Sequence, residues 1–273
     1  MKFHWMFGSP SGDSDEYIKE FISDLDNAGY YSVMFPYDPY FGDWMIRLMP
    51  LSSIEQKIKY IFALRTYAIS PEYTAMMFNT FNRYYPDKAM INVLAGDKTQ
   101  MAKEKEKNDD LNSAIMSNSF FSNSQQRIAY TKEWLDKFTN ISILNKKPEI
   151  AITGISNETL DNVKLYGDYA GCMIYSYLED PNRFNNSSNK RIVVAACLIA
   201  KDEEEYSQYK ERLLSDSNNN LHLTLFGYES DVIERIIKLK DLGATDIMLA
   251  KHHYMENEYL IHKMVEKMVK ENI

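Results

Sequence analysis

Short apolar runs alternate with amphipathic stretches of helical period from one end of the chain to the other, and this alternation most narrows what it can fold into. Strand, helix and strand in succession is the repeating unit of a parallel sheet covered by helices. The first run is Phe3 to Phe7. Ile18, Phe21, Ile22 and Leu25 then recur at helical spacing behind an acidic first turn, Gly29 closes that helix, and Tyr31 to Phe35 reads as the next strand. Further strands are expected at 58–64, 89–95, 150–154, 169–175, 192–200 and 246–250. Helices are expected at about 71–84, 127–138, 158–166, 203–214 and 256–270, with one more on Val232, Ile233, Ile236 and Leu239. Eight such runs with no linker dividing them predict an α/β chain forming a trimmed, single-domain TIM-type (βα)8 barrel over residues 1–273. A doubly wound open sheet is the alternative. Two segments break the rhythm: a polar stretch at about 97–124, read as a loop insertion over the C-terminal mouth, and 179–190, too short and Asn-rich for a full crossover helix.

Composition removes several classes of function. With 31 basic against 39 acidic side chains the net charge is −8, and the one dense charge run, Lys103 to Asp110, mixes signs. Binding to a nucleic-acid backbone needs clustered cations, so no nucleic-acid partner is expected. No apolar run reaches the roughly 18 residues that suggest a membrane span. Cys172 and Cys197 sit inside apolar segments, as buried thiols of a reducing compartment do, and a secretory signal is not evident, so a cytoplasmic location is expected. The glycines form neither a dinucleotide fingerprint nor a phosphate loop of the Walker type, and no zinc-protease, CxxC or nucleophile-elbow motif occurs.

Several residues carry possible chemistry. In Ile150 to Asn162 (IAITGISNETLDN) a strand ends at Gly154 and a helix begins near Glu158. Backbone N–H groups and the side chains of Ser156 and Asn157 thus converge where a helix start favours an anion; a plain helix cap is the other reading. His252 and His253 follow the last strand at the end where barrel enzymes place acid and base groups. Adjacent side chains on extended chain point to opposite faces, so one of the pair is expected in a pocket, unless both cap or decorate the final helix. No carboxylate or Cys stands at ligand spacing to them, and no metal site is expected. His4 is either a satisfied core residue or a pocket one. Tyr37, Asp38, Tyr40, Phe41 and Trp44 make an aromatic wall at the exit of the second strand, and Arg65 lies where it could neutralise a bound charge or pair as an ordinary rim residue. Asp168 and Asp246 precede strands and are expected to be structural.

The block Lys59 to Gly96 (KYIFALRTYAISPEYTAMMFNTFNRYYPDKAMINVLAG) resembles the bacterial luciferase-like flavin monooxygenases, the alkanesulfonate monooxygenase branch in particular. Phe3, Trp5, Gly12 and Asp13 match the opening of that branch; Thr153, Gly154, Ile155 and Ser156 match its phosphate loop; Phe226 to Val265 matches its last unit. The resemblance implies a barrel that binds reduced FMN (FMNH2) at its C-terminal mouth, forms a flavin peroxide with O2 and oxygenates a small organic or carrier-tethered substrate. It also implies an NAD(P)H-dependent flavin reductase as partner and a homo-oligomer, a dimer. Asn92 would bond the isoalloxazine edge, unless it bonds another side chain, while Gly154, Ile155, Ser156 and Asn157 would hold the phosphate.

The departures from that branch fall on chemistry. Ser11 stands in place of the His of an H-G-D triplet, Phe41 in place of a Cys, Cys197 in place of a seventh-strand His, Ile128 in place of a Tyr, and His252, His253 and Tyr254 replace Y-P-H. The Arg-bearing lid is cut to about Ser215 to Asn220, which puts a sulfonate substrate in doubt. A catalytically silent flavin-binding barrel and a deazaflavin-dependent oxidoreductase are the alternatives.

Overall fold

The structure is a computed structural model, and it describes residues 1–8, 14–37, 43–53, 55–95, 124–185, 189–215 and 224–272. Its first half runs β1 (Lys2–Met6), α1 (Asp15–Asn27), β2 (Ser32–Phe35), α2 (Trp44–Leu48), β3 (Lys59–Arg65), α3 (Pro71–Tyr84), β4 (Ala89–Leu94), α4 (Ser124–Asn140), β5 (Glu149–Thr153) and α5 (Asn157–Tyr166). There follow β6 (Tyr169–Met173), α6 (Ile174–Glu179), α7 (Pro181–Asn185), β7 (Lys190–Ile199), α8 (Glu203–Ser215), β8 (Thr224–Gly227), α9 (Glu229–Asp241), β9 (Asp246–Lys251) and α10 (Tyr259–Lys270). The chain divides into two compact units, Met1–Met34 with Gln56–Ile58 and Tyr169–Ile273, and Phe35–Glu55 with Lys59–Asp168. No described helix is long and apolar enough to cross a membrane.

In the first unit β1 pairs in parallel with β2 and with β9, and β9 pairs with residues 192–197 of β7. The other edge of β7 is shared: residues 190–194 pair with β6 and residues 196–199 with β8. The strand β8 departs from the sequence reading, which has eight strand runs and none at 224–227. Four residues are too few to show an alternation, yet Leu225 and Phe226 are buried once the upper half of β7 offers them an edge. A second departure is at β6, expected to reach residue 175; the chain turns helical at Ile174, which is buried together with Tyr177 one turn on. The crossover from β6 to β7 is the two short helices α6 and α7, in keeping with the short, Asn-rich segment. Helix α1 is capped by Ser14, whose hydroxyl accepts the Tyr17 N–H, and Gly29 just past its end has φ +85°, a conformation that favours glycine.

Alternation along β1 sends Trp5 to the helices and His4 to the opposite face. Trp5 meets Phe21 of α1 and His262 of α10, ring centroids 6.1 and 4.7 Å away. His4 is fully buried, with Nδ1 2.6 Å from Ser32 Oγ and Nε2 3.0 Å from Asp246 Oδ1, while the Thr245 hydroxyl donates to Asp246 Oδ2 at 2.5 Å. Both ring nitrogens are engaged, as a buried imidazole requires, and the three strands carrying the set are fixed in register by it. His4 and Asp246 are therefore core residues.

The second unit holds a parallel ribbon of β3, β4 and β5. Tyr60 and Phe62 face Phe81 of α3, at 5.9 and 5.3 Å. The start of α3 has Ser70 as cap and Pro71 in its first turn, where a missing N–H costs nothing. Trp134 of α4 stacks on Phe138 and donates its indole N–H to Ile69 O at 2.8 Å. At the other end Asp168 accepts the Ile150 N–H at 2.8 Å, the structural role expected of it. Gly154, which leaves β5, has φ +154°, and a Cβ there would meet Thr159 Cγ2 at 2.8 Å.

Two stability effects follow from these contacts. Burial pushes the His262 imidazole down from 6.5 to about 4, against an opposing pull from Asp24. Its stability contribution is complete above the unfolded value and is lost as pH falls from 6.5 toward 4, about 3 kcal/mol in all. Urea unfolding across that range should show a shallower loss for His262→Phe than for the unchanged chain; equal slopes would count against the assignment. Gly154→Ala should cost about 1–3 kcal/mol from strain and overlap. Thr159→Ser, which removes the offending methyl, should recover part of that loss in the same assay.

Candidate functional site

Register across the second unit places Asn92 directly between Ala63 of β3 and Ala151 of β5, on the face turned away from Phe81. Two small neighbours leave the amide flanked by methyl groups rather than by bulk. Asn92 is 6% exposed, and the Thr153 hydroxyl donates to its Oδ1 at 2.8 Å. The carbonyl end is thereby fixed and the amide nitrogen is oriented as the donor. Thr153 lies two residues beyond Ala151 and so shares its face, a signal that alternation alone could have supplied.

Arg65 follows on the same face of β3 as Ala63, 2% exposed. Its Nη1 donates to Tyr67 Oη at 2.7 Å, and its guanidinium lies over the rings of Tyr37 and Tyr67 at 5.1 and 5.9 Å. It is thus a buried cation at the end of β3, with tyrosine rings beside it.

At the exit of β5, Ser156 caps α5: its Oγ accepts the Thr159 N–H at 3.2 Å and lies 3.0 Å from Thr159 Oγ1. The cap reading of this segment is realised. An anion at this helix start would meet the backbone ahead of Thr159, at Asn157 and Glu158, beside the exposed Ile155. The acidic Glu158 in that first turn works against an anion, and the helix dipole works for it.

Near these residues the second unit has a pocket of about 430 Å³, open to solvent at Asp43, Ser70 and Tyr73 and within the range of small-molecule pockets. Phe35, Tyr37, Trp44, Phe62 and Tyr73 are among the residues that line it, as is Ala63, the register partner of Asn92. The expected aromatic wall is present in Tyr37 and Trp44; Asp38, Tyr40 and Phe41 lie outside the described residues, as do Ser11, Gly12, Asp13, the stretch 97–123 and residues 216–220. Phe62, Tyr73 and Met77 were not anticipated, because their alternation and helical spacing read simply as core.

In the first unit, His252 follows β9 and is 4% exposed, whereas His253 is exposed. The expectation that the two rings diverge fails: their centroids are 4.3 Å apart and the planes are 26° from parallel. The strand has already ended, and a turn closed by the Met255 N–H on His252 O at 3.0 Å brings the rings together. His252 Nδ1 accepts the Tyr254 N–H at 3.3 Å, which assigns the neutral ring's proton to Nε2. Tyr254 in turn lies against Arg212, 5.7 Å from guanidinium to ring. Cys197 pairs in register with Lys251, on the face opposite Met248 and Ala250, and burial pushes its thiol up to about 12, as it does that of Cys172. Neither thiol is a nucleophile. Among the described residues no group of three or more His, Cys, Asp or Glu side chains could hold a metal ion.

No protein-family model matches the sequence. Solved structures do match along its whole length. EDTA monooxygenase from Chelativorans sp. BNC1 aligns over 100% of this chain and 94% of its own, with a TM-score of 0.74 at 10% identity. Long-chain alkane monooxygenase aligns over 100% and 91%, with a TM-score of 0.69 at 11% identity. An F420-dependent secondary alcohol dehydrogenase in complex with an F420-acetone adduct aligns over 97% of each chain, with a TM-score of 0.70 at 12% identity. Such likeness shows the fold, a TIM-type α/β barrel.

Proposed function

We propose that this chain is an oxidoreductase that holds a reduced flavin, FMNH2, and uses it with O2 to oxygenate a small organic or carrier-tethered substrate. The observation that carries the reading is Asn92, a buried amide held by the Thr153 hydroxyl on its Oδ1 and set in register between two alanines. The fold, which it has in common with EDTA monooxygenase and long-chain alkane monooxygenase, supports it. When bound, the reduced flavin supplies the two electrons that let one oxygen atom of O2 enter the substrate while the other leaves as water.

Each residue has a role in this proposal. Asn92 donates to the polar edge of the ring. Backbone N–H groups at Gly154, Ile155, Ser156 and Asn157 receive the phosphate, whose charge the start of α5 favours. Arg65, rigid under its tyrosines, offsets negative charge on the ring. His252, whose Nδ1 accepts the Tyr254 N–H, presents its Nε2–H as a hydrogen-bond donor that orients the substrate, with His253 stacked on it as support. Ser11 is kept as a candidate on sequence grounds. A separate NAD(P)H-dependent reductase supplies the flavin, and the active form is a homodimer in the cytoplasm.

A second reading, in which a deazaflavin replaces FMN and hydride transfer replaces oxygenation, is favoured by the likeness to the F420-dependent alcohol dehydrogenase. Anaerobic titration with reduced FMN and with reduced deazaflavin separates the two. FMNH2 should bind with Kd near or below about 10 µM, and Asn92→Ala should weaken it about tenfold, the worth of one buried hydrogen bond. O2 consumption should then require the reductase. Failure of both cofactors to bind at tens of micromolar would remove the proposal; binding of FMNH2 without O2 consumption would reduce it to a silent barrel.

A further inference from the structure

The cavity of the second unit says what kind of molecule it accepts. Among the described residues the lining is apolar or aromatic apart from two polar side chains, Asp43 and Ser70, and no Lys or Arg contributes to it. Both polar side chains are already committed to helix starts. Asp43 Oδ1 accepts the Ile46 N–H at 3.1 Å as the cap of α2, and Ser70 Oγ accepts the Tyr73 N–H at 3.1 Å as the cap of α3. The cationic groups nearby sit on rings of the wall rather than in it, Arg47 at 5.1 Å from Trp44 and Arg65 at 5.1 Å from Tyr37. Among the described residues, the one formal charge on the lining is therefore the Asp43 carboxylate.

We propose that this cavity binds an uncharged, chiefly apolar molecule, aliphatic or aromatic, and rejects organic anions such as sulfonates and carboxylates. An anion entering it would lose hydration, gain no cationic partner from the lining and face a carboxylate, whereas an apolar molecule gains the burial of its surface against five rings. That this molecule is the substrate rests on the oxygenase reading above; that the cavity takes it does not.

The test uses the full chain with no flavin present and two fluorescent probes of one skeleton, neutral N-phenylnaphthylamine and anilinonaphthalenesulfonate. The neutral probe should bind at one site at least about tenfold more tightly than the sulfonate. Ala68→Trp and Met77→Trp each fill the cavity from a half-buried position, so whichever folds should abolish that binding. Asp43→Asn, which keeps a cap, should raise the sulfonate's affinity several-fold and leave the neutral probe unchanged. Equal or tighter binding of the sulfonate, or neutral-probe binding indifferent to the filling variants, would overturn the inference without touching the flavin proposal. Failure of FMNH2 to bind would leave the inference intact.

Discussion

Parallel strands with helices on one side must bury both faces, and every functional feature of this chain descends from that requirement. A strand wetted on one face can alternate apolar and polar residues cheaply; a strand buried on both cannot place a polar side chain anywhere without a partner for it. Where polar groups do occur on the faces turned from the helices, they come in sets. His4 comes with Ser32 and Asp246, and Asn92 comes with Thr153. The first set is closed, each ring nitrogen being met inside the protein. The second is an amide whose carbonyl end the Thr153 hydroxyl fixes, between two small side chains of the neighbouring strands.

The same logic separates framework from site in the two units. In the first, aromatic contacts of Trp5 with α1 and α10 hold the helices to the strands, and the acid sensitivity of His262 is a by-product of that burial. In the second, α2 and α3 begin beside a cavity whose polar lining groups are spent on capping them. A pocket so built is sensitive to ligand charge, and a preference for uncharged molecules follows.

Much of this was legible in the residues because burial writes a period. The helical spacing of Ile18, Phe21, Ile22 and Leu25 and the apolar runs at 89–95 and 150–154 locate α1, β4 and β5 within about a residue or two. The strand β8 escaped because four residues carry too little pattern, and the early end of β6 because Ile174 and Tyr177 suit a strand as well as a helix. At the site, the chemistry of single residues was readable and their company was not. Asn92 stands out in the sequence, but Thr153 does so only as part of the phosphate-loop match and not as the partner of Asn92; the burial of Arg65 beside tyrosines and the stacking of the two histidines do not show there at all. Each of these depends on register or on where a strand stops, which long-range pairing decides and a linear pattern does not record.

Flavin binding in this chain turns on Asn92 as the contact that receives the ring. A crystal structure of the chain soaked with FMN under reducing conditions measures this directly. The account expects the polar edge of the ring within hydrogen-bond distance of Asn92 Nδ2 and the phosphate at the start of α5. A flavin bound elsewhere, or an Asn92 amide turned fully into the protein with no cofactor against it, would contradict it.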